Sequence, residues 1–463
     1  MDVTSYKPDS RILELGDAFY DAVEPAAFPQ CTPRFLNRRW GERVGLGELS
    51  DEQWAAHFCR FEPLADNLQQ PLALRYHGHQ FRVYNPDIGD GRGFTFAQLR
   101  DDRGRLLDFG TKGSGLTPYS RTADGRLTLK GGVREVLATE MLEALGVNTS
   151  KTFALFETGE ELVRGDEPSP TRSSVLTRLS HGHIRIGNFQ RLAFYGEVEN
   201  IKALVRYCLS NLYGEQPGED AHENALRLFD LVSGATARLA ASYLAAGFVH
   251  GVLNSDNINV TGESFDYGPW RFTPEWDPGF TAAYFDHYGL YSFGRQPEAI
   301  QWDLAQFAGS LSLVTDAPPL SEGLARWSDR FEDEMVSALL KRLGVEPRER
   351  EGDRQLAASL LRTLQSREAK IDRIFFDWRG GGDPGAERYP SDVFRALAAQ
   401  LQGRGSAPTH AYWSDAEPCS LHIDEVEEIW SAIAERDNWK PLEDKVAAIR
   451  RMGEAHTDQR SGA

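Results

Sequence analysis

Residues 248–270 read FVHGVLNSDNINVTGESFDYGPW. The stretch sets two carboxylates and an amide, Asp256, Asn257 and Asp266, around two short apolar segments. Oxygen ligands of this kind suit hard divalent cations, so the stretch reads as a phosphate and magnesium site.

Its spacing is that of kinase-like catalytic loops. There, His-Gly-Asp is followed after four residues by Asn and then by a β-hairpin ending in Asp-Phe-Gly. The loop Asp takes the substrate proton, while the Asn and the second Asp hold magnesium. His250 and Gly251 fit, Asn257 falls seven residues after His250, and Asp266-Tyr267-Gly268 stands where Asp-Phe-Gly would. Val252 occupies the place of the base and cannot accept a proton, whereas Asp256 directly precedes Asn257. Two readings stay open: a dead site, or different chemistry.

Upstream, from Tyr76, glycine punctuates short strands. Phe94 to Leu99 and Leu106 to Thr111 alternate around a turn at Asp101 to Gly104, predicting a hairpin whose second strand ends at Lys112. Gly89, Gly91 and Gly93 frame Asp90 and Arg92, so the backbone there can approach a ligand beside a guanidinium; taken alone, tight turns explain such glycines as well. Val133, Val136, Leu137, Met141, Leu142 and Leu145 form one side of a helix expected to start near Gly131 or Gly132, with Glu135 in its first turns. A lone helix Glu is ordinarily a solvated charge. A strand-end Lys followed by a helix-borne Glu is also how a kinase-like small lobe orients its phosphate-binding lysine. Strands are predicted at Thr152 to Glu157 and Glu161 to Arg164, around a Thr158-Gly159 turn, and at Ser174 to Leu179. Arg178 and Arg185 suit a polyphosphate tail, because guanidinium makes paired, charge-assisted bonds to phosphate. His181 and His183 lack further ligands, which favours a structural role over a metal.

Beyond residue 190 helices dominate, at Asn224 to Gly247, Ala299 to Val314, Leu320 to Leu343, Gln355 to Phe376 and Asp424 to Met452. Before the strands, Asp51 to Phe61 spaces Trp54, Phe58 and Phe61 as a core-facing helix. The fold class expected is α+β, a kinase-like bilobal fold. It comprises an N-terminal extension (1–75), a small lobe with the nucleotide loop (76–190), a large lobe with the catalytic and metal loops (191–310) and a helical C-terminal part (311–463). The 463 residues carry 51 basic and 69 acidic side chains, a net charge of −18 that argues against wholesale binding of nucleic acid or anionic membrane. Cys31, Cys59, Cys208 and Cys419 lie far apart without a CxxC pair, so free thiols in a reducing compartment are expected. No stretch of about 18 apolar residues occurs and the N-terminus has no apolar leader core, which together predict a soluble, cytoplasmic protein.

Several uncommon strings occur in one order: LGDAFY at Leu15 to Tyr20, GHQF at Gly78 to Phe81, VYNP with GDGR from Val83 to Arg92, the KGxGxTPYSR segment from Lys112 to Arg121, Asp124-Gly125-Arg126, Arg134-Glu135, HGVLNSDN and FDYGP. On these, from about Leu15 to about Ala308, the sequence resembles the selenoprotein O family of kinase-fold protein adenylyltransferases.

The resemblance implies ATP bound back to front, with its β- and γ-phosphates buried and the α-phosphorus facing a protein hydroxyl. The proton acceptor must then move, and by the family's pattern Asp256 is that base, with Asn257 and Asp266 holding Mg2+ or Mn2+. Lys112, positioned by Glu135, would grip the phosphates with Arg178 and Arg185. Gly89, Gly91, Arg92, Asp124 and Gly125 would line the nucleotide pocket. AMP would pass to Ser, Thr or Tyr hydroxyls of protein substrates, this chain's own among the candidates, and UMP from UTP is the variant to consider. A nucleotide-binding pseudokinase scaffold is the alternative, favoured by Val252, and a small-molecule kinase ranks lower because it needs a base there.

Some positions depart from the family. Gly is usual at Arg82, small polar residues at Gly131-Gly132, Ser at Gly182, Arg and Asn at Leu290 and Arg295, and Asn at Asp303. The C-terminal third fits poorly: EPCSLH from Glu417 to His422 replaces an arginine-bearing motif. The terminal cysteine pair of some members is absent, so no redox switch built on it is expected.

Overall fold

The two alternating segments around the Asp101 turn do pair, and a sheet grows outward from them. The computed structural model describes residues 5–165 and 167–458. Strands β1 (Tyr20–Ala22) and β2 (Thr32–Leu36) precede helices α1 (Arg38–Arg43) and α2 (Asp51–Phe58). After β3 (Leu72–Leu74) comes a separate hairpin of β4 (Gly78–Gln80) and β5 (Val83–Asn85). Next are β6 (Thr95–Arg100), β7 (Leu106–Lys112), short β8 (Leu127–Thr128), helix α3 (Leu129–Ala144), β9 (Lys151–Leu162) and β10 (Thr171–Ser180). The main sheet is antiparallel in the order β1-β3-β6-β7-β10-β9-β2, with β8 beside β10.

Both faces of this sheet are covered, so its central strands are buried throughout despite their alternation. On one face, Trp54 and Phe58 of α2 pack on Phe96, Phe109 and Phe153, with Trp54 stacked on Phe153 at 4.6 Å. On the other lies α3, through Val133, Val136, Leu137 and Met141. That helix starts earlier than its glycines suggest, because Thr128 caps it: its Oγ1 accepts from Gly131 N at 3.1 Å. The Thr158-Gly159 turn does not form. Strand β9 runs through it, since β10 pairs on either side (Glu157 with Ser174, Glu161 with Arg172), and the irregularity is absorbed as a bulge with Gly159 at φ +76°.

Helices then take over: α4 (Ile186–Phe194), α5 (Val198–Tyr207) and α6 (Ala221–Ala246), followed by the small ladder of β11 (Phe248–Val249) and β12 (Arg271–Phe272). After these come α7 (Gln296–Leu311), α8 (Ala317–Ala325), α9 (Trp327–Leu343), α10 (Arg350–Gln365), α11 (Ile371–Asp377), α12 (Asp392–Leu401), α13 (Ile423–Arg436) and α14 (Lys440–Thr457). Three of the long helices expected from the sequence are each two. The first breaks at Arg326, which lets Trp327 bury its ring and donate Nε1–H to Thr236 at 3.1 Å. The other two break around Arg367 and Asp437, left-handed residues at φ +55° and +48° where no glycine announces the stop. Pro318 opens α8 in its first turn, where proline is tolerated.

The C-terminal helices fold back onto the sheet half. Arg450 of α14 grips buried Glu140 of α3 at 2.7 and 2.8 Å, and Lys130 reaches Glu427 of α13 at 2.7 Å. The helix that carries Glu135 is therefore braced from both sides. Elements and sheet together make the fold α+β.

The expectation of four free thiols is overturned. Cys31 and Cys59 form a disulfide across 28 positions, tying the approach to β2 to the end of α2, while Cys208 and Cys419 are free. Distance along the chain concealed the pair, and the thiol argument for a reducing compartment falls with it. Among the described residues no helix is long and apolar enough to cross a membrane.

Candidate active site

Lys112 ends β7 in a buried position, and its Nζ is paired with Glu135 one layer away on α3. The same ammonium lies 3.1 Å from Asp266 Oδ1. Arg178, near the end of β10, places Nη1 3.3 Å from that oxygen and its guanidinium over the Phe265 ring at 5.2 Å. Arg185, at the start of α4, stacks on Tyr76 at 4.2 Å and Phe265 at 5.0 Å and bonds Asp90 Oδ1 at 2.8 Å. Sheet and helical layers thus converge on one carboxylate. Burial opposes the ionisation of Asp266, but Lys112, Arg178, Arg185 and Arg92 outweigh it and hold the group well below the usual carboxylate range. Its backbone is left-handed at φ +64°, a conformation that costs a non-glycine residue about 1 kcal/mol or more and that collects at functional sites.

The paired guanidiniums keep unused hydrogen-bonding capacity. The Nε atoms of Arg178 and Arg185 are buried without a hydrogen-bond partner, as is Asp256 Oδ1. Buried donors of this kind are costly unless a ligand meets them.

Asp256 sits in a single 3-10 turn, Ser255–Asn257, which the β4–β5 hairpin and α4 hold from outside. His79 N donates to Ser255 Oγ at 2.8 Å and Phe81 N to Asn254 Oδ1 at 3.0 Å, while Ser255 Oγ donates to Gln190 at 2.5 Å. Tyr291 completes the brace, its hydroxyl 2.8 Å from Asn254 Oδ1. Burial pushes Asp256 up to about 7, against the opposing charges of Arg185 and Arg121. Asn257 donates Nδ2–H to the Val252 carbonyl at 3.1 Å, which turns its Oδ1 away from that bond. His250 staples this loop to the next segment: Nε2 donates to Phe265 O at 2.9 Å, and Val252 N approaches Nδ1 at 3.4 Å. Tyr267 is buried, with its hydroxyl on Thr149 and Ser264.

Lys112, Glu135, Arg178, Arg185 and Asp266 are therefore brought together, with Asp256 within electrostatic reach of Arg185 and Asp266 and Asn257 next to it on the braced loop. Gly89 and Gly91 serve differently. A Cβ on Gly89 would meet the Tyr119 ring at 2.5 Å, and one on Gly91 the Tyr119 carbonyl at 2.9 Å, so these glycines seat the 117–121 loop. Arg92 is exposed, with its charge felt at Asp266. Asp124 is spent on Arg164 at 2.7 Å, and Gly125 turns at φ +68° to accept from Gly115 N at 3.2 Å; neither joins the cation cluster.

Sequence reasoning assigned no role to Asp90, Tyr76, Phe265 or Gly78. The GHQF and GDGR strings contained part of the signal, but not which arginine Asp90 would hold. The departures Arg82, Arg295 and Asp303 share one neighbourhood. Arg82 takes the left-handed turn at φ +63° where glycine is usual, and is held by Glu298 at 2.8 Å and the Trp302 ring at 5.4 Å. Arg295 grips the same Glu298 at 3.0 Å.

The chain matches, over residues 3–414, the profile of the family described as "Protein adenylyltransferase SelO". It is 40% identical over 474 residues to a "Protein nucleotidyltransferase YdiU" of Synechocystis sp., covering 96% of this chain and 98% of that protein. A relative of the same description in Gloeobacter violaceus is 41% identical over 467 residues, covering 96% and 95%, and one in Vibrio cholerae is 33% identical over 364 residues, covering 79% and 73%. The class is transferase, and within it nucleotidyltransferase. The chain belongs to the SelO family of protein adenylyltransferases. Its likeness to relatives extends well past Ala308, where the motifs readable by eye give out.

Proposed function

We propose that the cluster binds ATP in a kinase-like cleft, with residues 76–190 as small lobe, their sheet extended by β1, β2 and β3 from the N-terminal segment, and the helices of 191–310 as large lobe, and transfers AMP to Ser, Thr or Tyr hydroxyls of proteins. The carrying observation is unmet donor capacity on buried cations. Lys112 and Arg178 meet Asp266 and Arg185 is held by Asp90, while the Nε of each guanidinium still lacks a partner, as suits a buried polyphosphate.

The residues also fit a divalent cation. Asp266 is ionised and Asn257 offers an amide oxygen, both hard donors; among the described residues no group of three or more His, Cys, Asp or Glu gathers, so the nucleotide's phosphates would complete the shell. Mg2+ or Mn2+ held there by Asn257 and Asp266 would neutralise phosphate charge. The chain's own part is positioning. Glu135 aims Lys112, Asp90 and Tyr76 fix Arg185, and the hairpin fixes the turn that carries Asp256. The hydroxyl oxygen bonds to the α-phosphorus, the bond from that phosphorus to the bridging oxygen breaks, pyrophosphate leaves, and Asp256 takes the proton.

Val252 favours a second reading, a nucleotide-binding scaffold without transfer. ATP labelled at either the α- or the γ-phosphate decides, using purified protein, Mg2+ and a generic protein acceptor, with self-modification scored alongside. Label from the α-position alone supports adenylyl transfer. Label from the γ-position makes the protein a kinase, and binding without label favours the scaffold.

A further inference from the structure

Asn254, which leads into the Ser255–Asn257 turn, is held at its Oδ1 from two directions: Phe81 N donates at 3.0 Å and the Tyr291 hydroxyl at 2.8 Å. Asp256 is two residues further on, so whatever moves these donors moves the turn that carries it. The donors come from distant parts of the chain, yet their rings meet at 5.0 Å.

Behind each donor stands an arginine, and both arginines converge on one carboxylate. Arg82 follows Phe81 in the β4–β5 hairpin, and its Nη2 donates to Glu298 Oε1 at 2.8 Å across a sequence separation of 216. Arg295 donates to the same carboxylate through Nε at 3.0 Å and Nη2 at 3.1 Å. Its Nη1 meets the carbonyl of Gly289, two residues before Tyr291, at 3.3 Å. Glu298 lies in the first turn of α7, and Trp302, one helical turn on, packs against His79 at 5.0 Å and the Arg82 guanidinium at 5.4 Å. An inner tie at Asn254 is thus doubled by an outer one at Glu298.

An acid in the first turn of a helix, three residues after an arginine, is ordinary by itself. Arg82 is what sets this one apart. Phe81 and Arg82 are both left-handed, as a two-residue hairpin turn demands, and such turns favour glycine or asparagine over arginine. The contact that the strained arginine makes in exchange is the one with Glu298. Ion pairs as open to solvent as these add little to overall stability, so their effect lies in where they hold the chain.

Building on the adenylyl-transfer reading, we propose that Glu298 is a positioning residue of the reaction. By gripping Arg82 and Arg295 together, it keeps the hairpin and the 288–291 loop closed on the turn that carries Asp256.

The test follows α-label transfer from ATP to casein, with Mg2+, by the full-length enzyme and by Glu298→Ala, Glu298→Gln, Arg82→Asn and the double variant E298A/R82N. Asparagine suits the left-handed turn while releasing the clamp. Loosening the turn without touching a phosphate-binding cation predicts a kcat about tenfold lower in E298A and in R82N, with E298Q intermediate and the KM for ATP within about twofold of the unaltered enzyme. Both substitutions open one clamp, so the double variant should also be about tenfold slower and not about a hundredfold. Melting temperatures should change little. An undiminished kcat in E298A, a multiplied loss in the double variant, or a loss confined to the KM for casein overturns this proposal and leaves adenylyl transfer standing. A melting temperature that falls in step with the rate also overturns it, because Glu298 would then serve the fold as a whole. No α-label transfer by the unaltered enzyme overturns the reading beneath it, and this proposal with it.

Discussion

Gly78 and Asp256 lie in contact: a Cβ on Gly78 would stand 2.7 Å from Asp256 Oδ1 and 2.8 Å from its Cβ. Glycine is required there by close approach, and the next residues of the hairpin hold the Ser255–Asn257 turn through His79 N and Phe81 N. Gly78→Ala must displace either the hairpin or the carboxylate. Overpacking of this kind costs about 1–3 kcal/mol. The variant is expected to melt lower and to transfer α-label at least about tenfold more slowly, as a sub-ångström misplacement of a reacting group does. A wild-type rate in Gly78→Ala would remove Asp256 from the chemistry.

Asp256 should impose a pH profile. Burial raises its carboxyl to about 7, so kcat/KM is expected to climb about tenfold per unit at acid pH and to level above about 7. The stability effect has the opposite sense. The folded carboxyl holds its proton more tightly than the unfolded one, so stability is lost as pH rises from about 4 to about 7. Asp256→Asn should abolish transfer while gaining melting temperature over wild type at pH 8 and none at pH 4. Equal differences at both pH values would contradict the assignment.

Lys112 and Glu135 form a buried pair that a single truncation leaves half charged. Breaking such a pair costs about 3–5 kcal/mol. Lys112→Met should therefore lose transfer and unfold at markedly lower urea. Glu135→Gln keeps the shape and a hydrogen-bonding oxygen, so it should raise the KM for ATP with a much smaller loss of stability. Urea midpoints and ATP titrations on the two variants separate these effects.

The pieces legible in the sequence were those whose signal is local. The hairpin ending at Lys112 appears where alternation places it, and the helix carrying Glu135 follows its period though it starts at Leu129; the hairpin that the motif carries between Asn257 and Asp266 is not among the strands formed by the described residues. What escaped was tertiary. Asp90 is an ordinary turn residue until β10 and α4 bring Arg185 to it, and Gly89 reads as a ligand-facing glycine until Tyr119 packs there. Cys31 and Cys59 looked unrelated because nothing in their spacing encodes the turn of α2 back onto β2. Helix breaks at Arg367 and Asp437 lack glycine, so period alone ran through them.

The Cys31–Cys59 bond makes a direct chemical prediction. Alkylation of the denatured, unreduced protein should modify two cysteines, Cys208 and Cys419, and four after reduction. At a sequence separation of 28, its removal should cost about 3–4 kcal/mol by loop-closure entropy. Dithiothreitol should accordingly lower the urea midpoint of wild type and not that of Cys31→Ser. Four thiols without reductant would show the pair to be open.

Asp303 offers the last test. It is buried on α7 with Oδ2 unpartnered, and burial, reinforced by the charge of Asp256 and only partly offset by Arg82, drives its carboxyl well above the ordinary range. A neutral Asp303 is nearly isosteric with asparagine, so the fold tolerates the acid by keeping it protonated. The stability it removes is absent below about pH 4, where the unfolded side chain is protonated as well, and grows as pH rises, because the folded group retains a proton that the unfolded chain gives up. Asp303→Asn should melt with wild type at pH 4 and above it at pH 8 and 9. Transfer at alkaline pH should also hold up better in the variant, since no second carboxylate can ionise beside Asp256. A melting difference independent of pH would mean that Asp303 is ionised in the fold and has a cation partner.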